Sequence, residues 1–220
     1  MNNGRIKIVG VGAGGHASVI LDLIESLPGA PYEVVGLLDS DQRRHGSLFH
    51  GSSILGGDAL LPELRRNGVV GCFLGLGSIG RTEARRRLYA LAEESGLEIV
   101  PLVHPTAIIA KSAVLGRGCC IMAGAIVNPG ATIGRNVCVN TGAIIEHDCR
   151  IDDHAFIAPG VVLAGGVRVG AGAFVGLRAG VKQGCVLGEE SLIAGGAMVV
   201  RDVAPRAVVG GVPARVIRER

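Results

Sequence analysis

The side chains able to move a proton near neutral pH are few. Histidine occurs six times, at His16, His45, His50, His104, His147 and His154. His147 stands in the run Ile145-Glu146-His147-Asp148-Cys149, with a carboxylate on either side. An imidazole has its pKa close to working pH, and a neighbouring carboxylate orients it and favours the imidazolium formed on proton abstraction. The chemistry expected of His147 is therefore general-base catalysis, with Asp148 or Glu146 as the supporting acid. Adjacent residues on a strand point to opposite faces, so a His147–Asp148 pair requires a corner between them. Otherwise Glu146 takes the part, or His147 is simply a surface histidine at a corner. The six cysteines form no CxxC pair and read as small buried thiols in a reducing compartment rather than a zinc or redox motif.

A second kind of chemistry is suggested near the start. The run Gly10-Val11-Gly12-Ala13-Gly14-Gly15-His16 follows an apolar stretch and matches G-x-G-x-x-G. Such a turn at a helix N-terminus offers backbone N–H groups and a favourable dipole to phosphate. Asp39, downstream of this turn, ends a second apolar run and is placed to accept from a ribose hydroxyl. Gly75-Leu76-Gly77-Ser78 forms another glycine turn after a strand. Two such turns on one carboxyl edge point to a nucleotide-binding cleft, with Gly12, Gly14, Gly15, His16, Asp39 and Gly77 as candidate contacts. Glycine turns without a ligand are the alternative reading.

The elements positioning these residues fall into two sets. Strands are expected at 5–10, 32–39, 69–77 and 97–103, with helices at 16–26, 58–67 and 80–95, an alternation that argues for a small parallel α/β sheet covered by helices. His104-Pro105 opens the second set. There, aliphatic residues recur every six positions without a slip from Ile109 through Leu115, Ile121 and Val127 to Val199, sixteen in all. Two positions before each stands a small or compact residue, nine of them Ala and three of them Cys. Gly or Asn often follows the aliphatic position, as at Gly116, Asn128, Gly134 and Asn140, and is expected at corners needing unusual backbone angles. A triangular coil of short strands satisfies this period, with three hexapeptides to each turn. At about 4.8 Å per turn the sixteen repeats give a prism about 25 Å tall. The domains expected are 1–103, an α/β domain; 104–200, the coil; and 201–220, a tail.

Composition agrees. The chain of 220 residues has 36 Gly, no Trp and only 3% aromatics, as suits a narrow aliphatic prism. The shortage of aromatics argues against single-stranded nucleic-acid binding, which uses stacking platforms, and a net charge of +3 is too weak for a DNA-binding surface. No uninterrupted run of about 20 apolar residues suggests a membrane span, and the opening residues lack a signal-peptide layout. A cytoplasmic protein is expected. His147 and His154 follow different aliphatic slots, on different prism faces, so no metal site is expected.

The hexapeptide run resembles the left-handed parallel β-helix of hexapeptide-repeat acyltransferases, and the handedness comes from that resemblance. Taken together, Gly12–His16, Asp39, Gly77, Ile145–Asp148 and the closing Gly211–Arg215 resemble bacterial sugar acetyltransferases of the sialic-acid O-acetyltransferase group. That group includes N-acetyltransferases acting on nucleotide-linked amino sugars. The resemblance implies a Rossmann-like α/β subdomain that holds the nucleotide of the sugar substrate. It also implies acetyl-CoA as cosubstrate and a homotrimer with active sites between subunits. His147 becomes the base and Asp148 its supporting acid. Asn140, Gly165, Leu177 and Gly195 line the CoA groove together with position 156, where Phe156 stands in place of a second histidine often found in related sequences. The expected activity is direct N-acetylation in bacterial glycan biosynthesis. Sugar O-acetylation, or a nicotinamide-dependent oxidoreductase oligomerised by the coil, are the alternatives.

Overall fold

The computed structural model describes residues 4–78, 80 and 82–219. Two units compose it, Met1–Gly77 with Ala84–Val100, and Ser78–Glu83 with Pro101–Arg220.

In the first unit the apolar runs become strands and the amphipathic runs become helices. The order is β1 (Ile6–Val11), α1 (Gly15–Ser26), β2 (Tyr32–Leu38), β3 (Leu48–Phe49), β4 (Ser52–Gly56), α2 (Leu61–Arg66), β5 (Gly71–Leu74), α3 (Glu83–Glu94) and β6 (Glu98–Ile99). The sheet order is β3-β4-β2-β1-β5-β6, parallel except for β3 against β4. The chain passes from β1 to β2 on one side and later to β5 on the other. The carboxyl ends of β1 and β5 therefore flank the point where strand order reverses, the usual ligand edge of an open α/β sheet. Central strands buried on both faces read as continuous apolar runs, and Ile8, Val9, Val11, Cys72, Phe73 and Leu74 are all buried. Helix α1 buries Ala17, Ile20, Leu21 and Ile24, at the spacing of one helical face.

One element was not expected, and two expected strands change. The β3–β4 hairpin carries no Asn-Gly or Asp-Gly signature; its turn is built on His50 and Gly51, both at positive φ. The strand expected over 69–77 stops at Leu74, because Gly75 begins the second glycine turn. The strand expected over 97–103 divides: Glu98–Ile99 pairs with β5, whereas Leu102–Val103 pairs with Cys120–Ile121 in the coil.

The second unit is a parallel β-helix with three ladders. Its sides are hydrogen-bonded over only two residues each, the rest of every hexapeptide being turn. Ladder partners stand three hexapeptides apart, as in Cys138↔Phe156, Ile144↔Val162 and Arg150↔Arg168. The aliphatic residues point inward, and from Ile121 to Val199 they are buried throughout. The first face runs from Leu102–Val103 to Ala207–Gly210 in seven parallel strands, about 29 Å at about 4.8 Å per step. The last turn is shorter than the others by two positions, with Val208 opposite Leu192 and Val203 bridging Leu187. Residues 201–220, expected as a tail, contribute Ala207–Gly210 to this face, and Arg215–Glu219 adds on antiparallel.

The corners lie two residues later than the sequence pattern suggests. Positive φ recurs at six-residue spacing from Gly118 through Gly124, Gly130, Asn136, Gly142, Asp148 and His154 to Gly196, three residues after each aliphatic position. The glycines immediately after the aliphatic residue serve close stacking instead. A Cβ on Gly116 would lie 2.5 Å from the Gly134 carbonyl carbon, and one on Gly176 would lie 2.6 Å from the Gly195 nitrogen.

Candidate active site

The second face runs from Ile108–Ile109 to Met198–Val199; on one of its rungs the strand is Ile144–Ile145, and the chain then turns through Glu146, His147 and Asp148. Asp148 occupies the corner at φ +59°, a conformation that Asp tolerates better than most residues. That kink brings consecutive side chains to the same side, and His147 Nδ1 meets Asp148 Oδ2 at 2.9 Å. Glu146 is engaged differently: its Oε2 accepts the His147 amide N–H at 3.3 Å. Between the two carboxylates left open by the sequence, Asp148 is the one in contact with the imidazole.

The rungs above and below make room for this pair. Gly165 holds the position equivalent to His147 on the following rung, and a Cβ there would fall 2.5 Å from Nε2. Gly130 holds the position equivalent to Asp148 on the preceding rung, and its Cβ would fall 2.5 Å from Oδ1. The imidazole is more than half exposed in the single chain. The Asp148 hydrogen bond, then the charges of Asp148 and Glu146, hold its pKa above the ordinary value against the opposing effect of desolvation. With Nδ1 turned to a carboxylate, Nε2 is left as the acceptor for an incoming proton. Cys149 is buried, donates to the Ala164 carbonyl oxygen at 3.2 Å, and has its pKa raised by burial. Burial and a raised pKa both work against a thiolate nucleophile there.

Asn140, Leu177 and Gly195 lie at the corners leaving the first face, and the Leu177 side chain covers Gly195. His147 and Gly165 lie at the corners leaving the second face. The whole second face therefore separates the two groups within one chain. Phe156 is 3% exposed and stacks on Phe174, centroids 5.7 Å apart and planes 11° from parallel. It packs under the surface and offers no ring face to a ligand. His154 stands at a third corner, its Nδ1 2.9 Å from Asn136 Nδ2. Among the described residues no three His, Cys, Asp or Glu side chains converge as a metal site.

In the first unit the two glycine turns touch. A Cβ on Gly75 would lie against the Gly12 carbonyl oxygen, and Gly12 itself has φ +98°. Gly14 and Gly15 face open space at the start of α1, where no side chain caps the helix. The exposed start of a helix is the geometry that receives an anion. His16 follows in the first turn; burial and the Arg85 charge lower its pKa to about 3, so it is neutral. Gly77 packs against His16, with room for a Cβ only at 3.3 Å. Asp39 Oδ1 accepts the Asp41 amide N–H at 2.9 Å.

Two arginines join this edge that sequence reasoning missed. Arg44 donates to Asp39 Oδ2 at 2.6 Å and to the Ala13 carbonyl at 2.9 Å. Arg85, 3% exposed on α3, donates to the Leu74 and Leu76 carbonyls at 3.1 and 3.0 Å. Arg85 had a signal: it shares the apolar stripe of Leu88 and Ala92, where an arginine is out of place. Arg44 had none, because its partner Ala13 is 31 residues away.

Comparison with known proteins places both units. The PglD N-terminal domain family matches residues 7–91, and the bacterial transferase hexapeptide (six repeats) family matches 130–165. UDP-N-acetylbacillosamine N-acetyltransferase of Bacillus subtilis (strain 168) is 37% identical over 118 residues, 51% of this chain and 50% of that protein. The match thus spans about half the length of that relative. A histidine-to-asparagine variant of perosamine N-acetyltransferase from Caulobacter crescentus, solved with CoA and GDP-perosamine, superposes with a TM-score of 0.88. Its identity is 35%, over 97% of each chain. The acetyltransferase domain of PglB from Neisseria gonorrhoeae FA1090, in complex with acetyl coenzyme A, also gives 0.88, with 31% identity over 97% of this chain and 100% of that one.

Proposed function

Because the chain belongs to the nucleotide-sugar acetyltransferases of the hexapeptide-repeat superfamily, an α/β domain followed by a left-handed β-helix, we propose that it transfers acetyl from acetyl-CoA to the amine of a nucleotide-linked amino sugar, with His147 as general base. The observation that carries this reading is the 2.9 Å His147–Asp148 hydrogen bond at an exposed corner. Nε2 takes a proton from the amine as its nitrogen attacks the thioester carbon. The backbone N–H of Gly165, one rung above, stabilises the oxyanion. The C–S bond then breaks, the amide forms, and the imidazolium returns its proton to the CoA thiolate. Asp148 keeps the imidazole in the tautomer that accepts at Nε2.

CoA lies between neighbouring copies, along Gly165 of one and Asn140, Leu177 and Gly195 of the next. Two observations support a homotrimer with active sites between subunits. The two groups of residues flank opposite sides of the second face, and that face is apolar outward at Ile108, Ile126, Ile144, Val162 and Met198. Exposure of 63% at Ile108 and 43% at Val162 is costly unless another copy covers them. The glycine turns, His16, Asp39 and Gly77 take the nucleotide. We place the reaction in the cytoplasm, in a bacterial glycan pathway, because six buried thiols suit a reducing compartment.

Calorimetric titration tests the ligand classes. Acetyl-CoA and at least one of GDP- or UDP-linked amino sugars are expected to bind at micromolar to millimolar Kd, the usual substrate range. Binding of NAD(P)H in place of acetyl-CoA would instead support an oxidoreductase.

A further inference from the structure

Asp39 and the glycine turn come from different parts of the first unit, one at the end of β2 and the other after β1. A single side chain ties them. The Arg44 guanidinium gives Nη1 to Asp39 Oδ2 at 2.6 Å and Nη2 to the Ala13 carbonyl oxygen at 2.9 Å. It also lies over the Phe49 ring, 5.4 Å from the centroid. The Asp39 side chain is 14% exposed and that of Arg44 34%, so the pair is shielded on most sides. Asp39 is held further by the Asp41 amide at Oδ1, and its own carbonyl oxygen meets His45 Nε2 at 2.8 Å.

We infer that Arg44 is a positioning residue for the nucleotide, fixing the distance between Asp39 and the Gly12–Gly14 turn. The inference rests on the nucleotide-sugar reading above and adds to it the residue that preorganises that end of the site. The chemistry is specific to arginine. A planar fork reaches two acceptors in fixed relative directions, whereas an ammonium on a flexible stem reaches them as a point charge. The same pairing has an electrostatic consequence. An Asp39 carboxylate left alone beside the glycine turn would repel the diphosphate that the turn is built to receive. Arg44 offsets that charge, while an ionised carboxylate with about four acceptor sites keeps capacity for a ligand hydroxyl or base N–H.

The test is titration of the full-length chain with GDP, with UDP and, separately, with acetyl-CoA, for the wild type, Arg44→Ala and Arg44→Lys. Arg44→Ala is expected to weaken the bound nucleoside diphosphate about tenfold, the scale of one lost charge-assisted hydrogen bond. Arg44→Lys should recover part of that loss. The acetyl-CoA Kd should stay within about twofold of wild type, and KM for the nucleotide sugar should rise while turnover at saturation is retained. Equal nucleotide affinity in the wild type and both variants would overturn the inference. So would a parallel loss of acetyl-CoA affinity, which marks a general structural role. A wild-type chain that binds neither diphosphate would sink the nucleotide-sugar reading itself, and this inference with it.

Discussion

Replacing His147 by alanine is expected to lower kcat by about 10²-fold or more while KM for both substrates stays within about twofold. The size follows from what the side chain does. A positioned base contributes about 10² to 10⁴ in rate by taking the proton in the transition state, and no neighbour can replace it. Cys149 is turned inward onto the Ala164 carbonyl oxygen, and His154 stands at another corner. The fold should be indifferent to the change, because the imidazole is more than half exposed and supports no core packing. Steady-state kinetics, with circular dichroism as the control for folding, checks this. Turnover near the wild-type rate would remove His147 from the mechanism.

Asp148→Asn should produce two separable effects. The carboxylate hydrogen bond is the main cause that raises the His147 pKa, with the charges of Asp148 and Glu146 adding to it. A base works only when neutral, so the rate rises with pH through that pKa, and a raised pKa puts the acid limb above the ordinary imidazole range. Removing the charge lowers the pKa and moves the limb to lower pH. Glu146 remains, so the shift is partial. At the plateau the rate should fall on the order of 10²-fold. An amide that donates to Nδ1 leaves the proton on Nε2, and that tautomer cannot accept from the amine. Asparagine suits a corner at φ +59°, so the effect is chemical rather than structural. A pH–rate profile of kcat/KM reads both effects. An unmoved limb with a full plateau rate in Asp148→Asn, and a moved limb in Glu146→Gln, would assign the supporting role to Glu146.

The fold is legible in the sequence where one physical constraint acts on every repeat. A prism interior admits only aliphatic and small side chains, so the register from Ile109 to Val199 could be read directly, and the structure keeps it. The glycines are harder to read, because two needs recur with the same period. Gly118 and Gly130 turn the corner at positive φ, whereas Gly116 and Gly176 clear space for the backbone of the next rung. A requirement imposed by a neighbouring rung is invisible in a single hexapeptide. Which carboxylate touches the imidazole was unreadable for a similar reason: the contact depends on the sign of one φ, which an aspartate does not announce. The carboxyl edge proposed for the nucleotide was legible in its glycines and in Asp39. Arg44 was not, since in sequence it is one of two adjacent arginines in a polar loop and gains meaning only when Ala13 folds against it. Residues 201–220 lack the hexad and still extend the first ladder, by a turn shorter than the rest.

The most direct measurement is the product itself. Purified chain is incubated with acetyl-CoA carrying ¹³C in the acetyl carbonyl and with a GDP- or UDP-linked amino sugar, and the product is followed by NMR alongside release of free CoA thiol. The account predicts one labelled amide on the sugar for each thiol released, with formation suppressed in His147→Ala. Label appearing as a sugar ester, or thiol release without any amide, would contradict it.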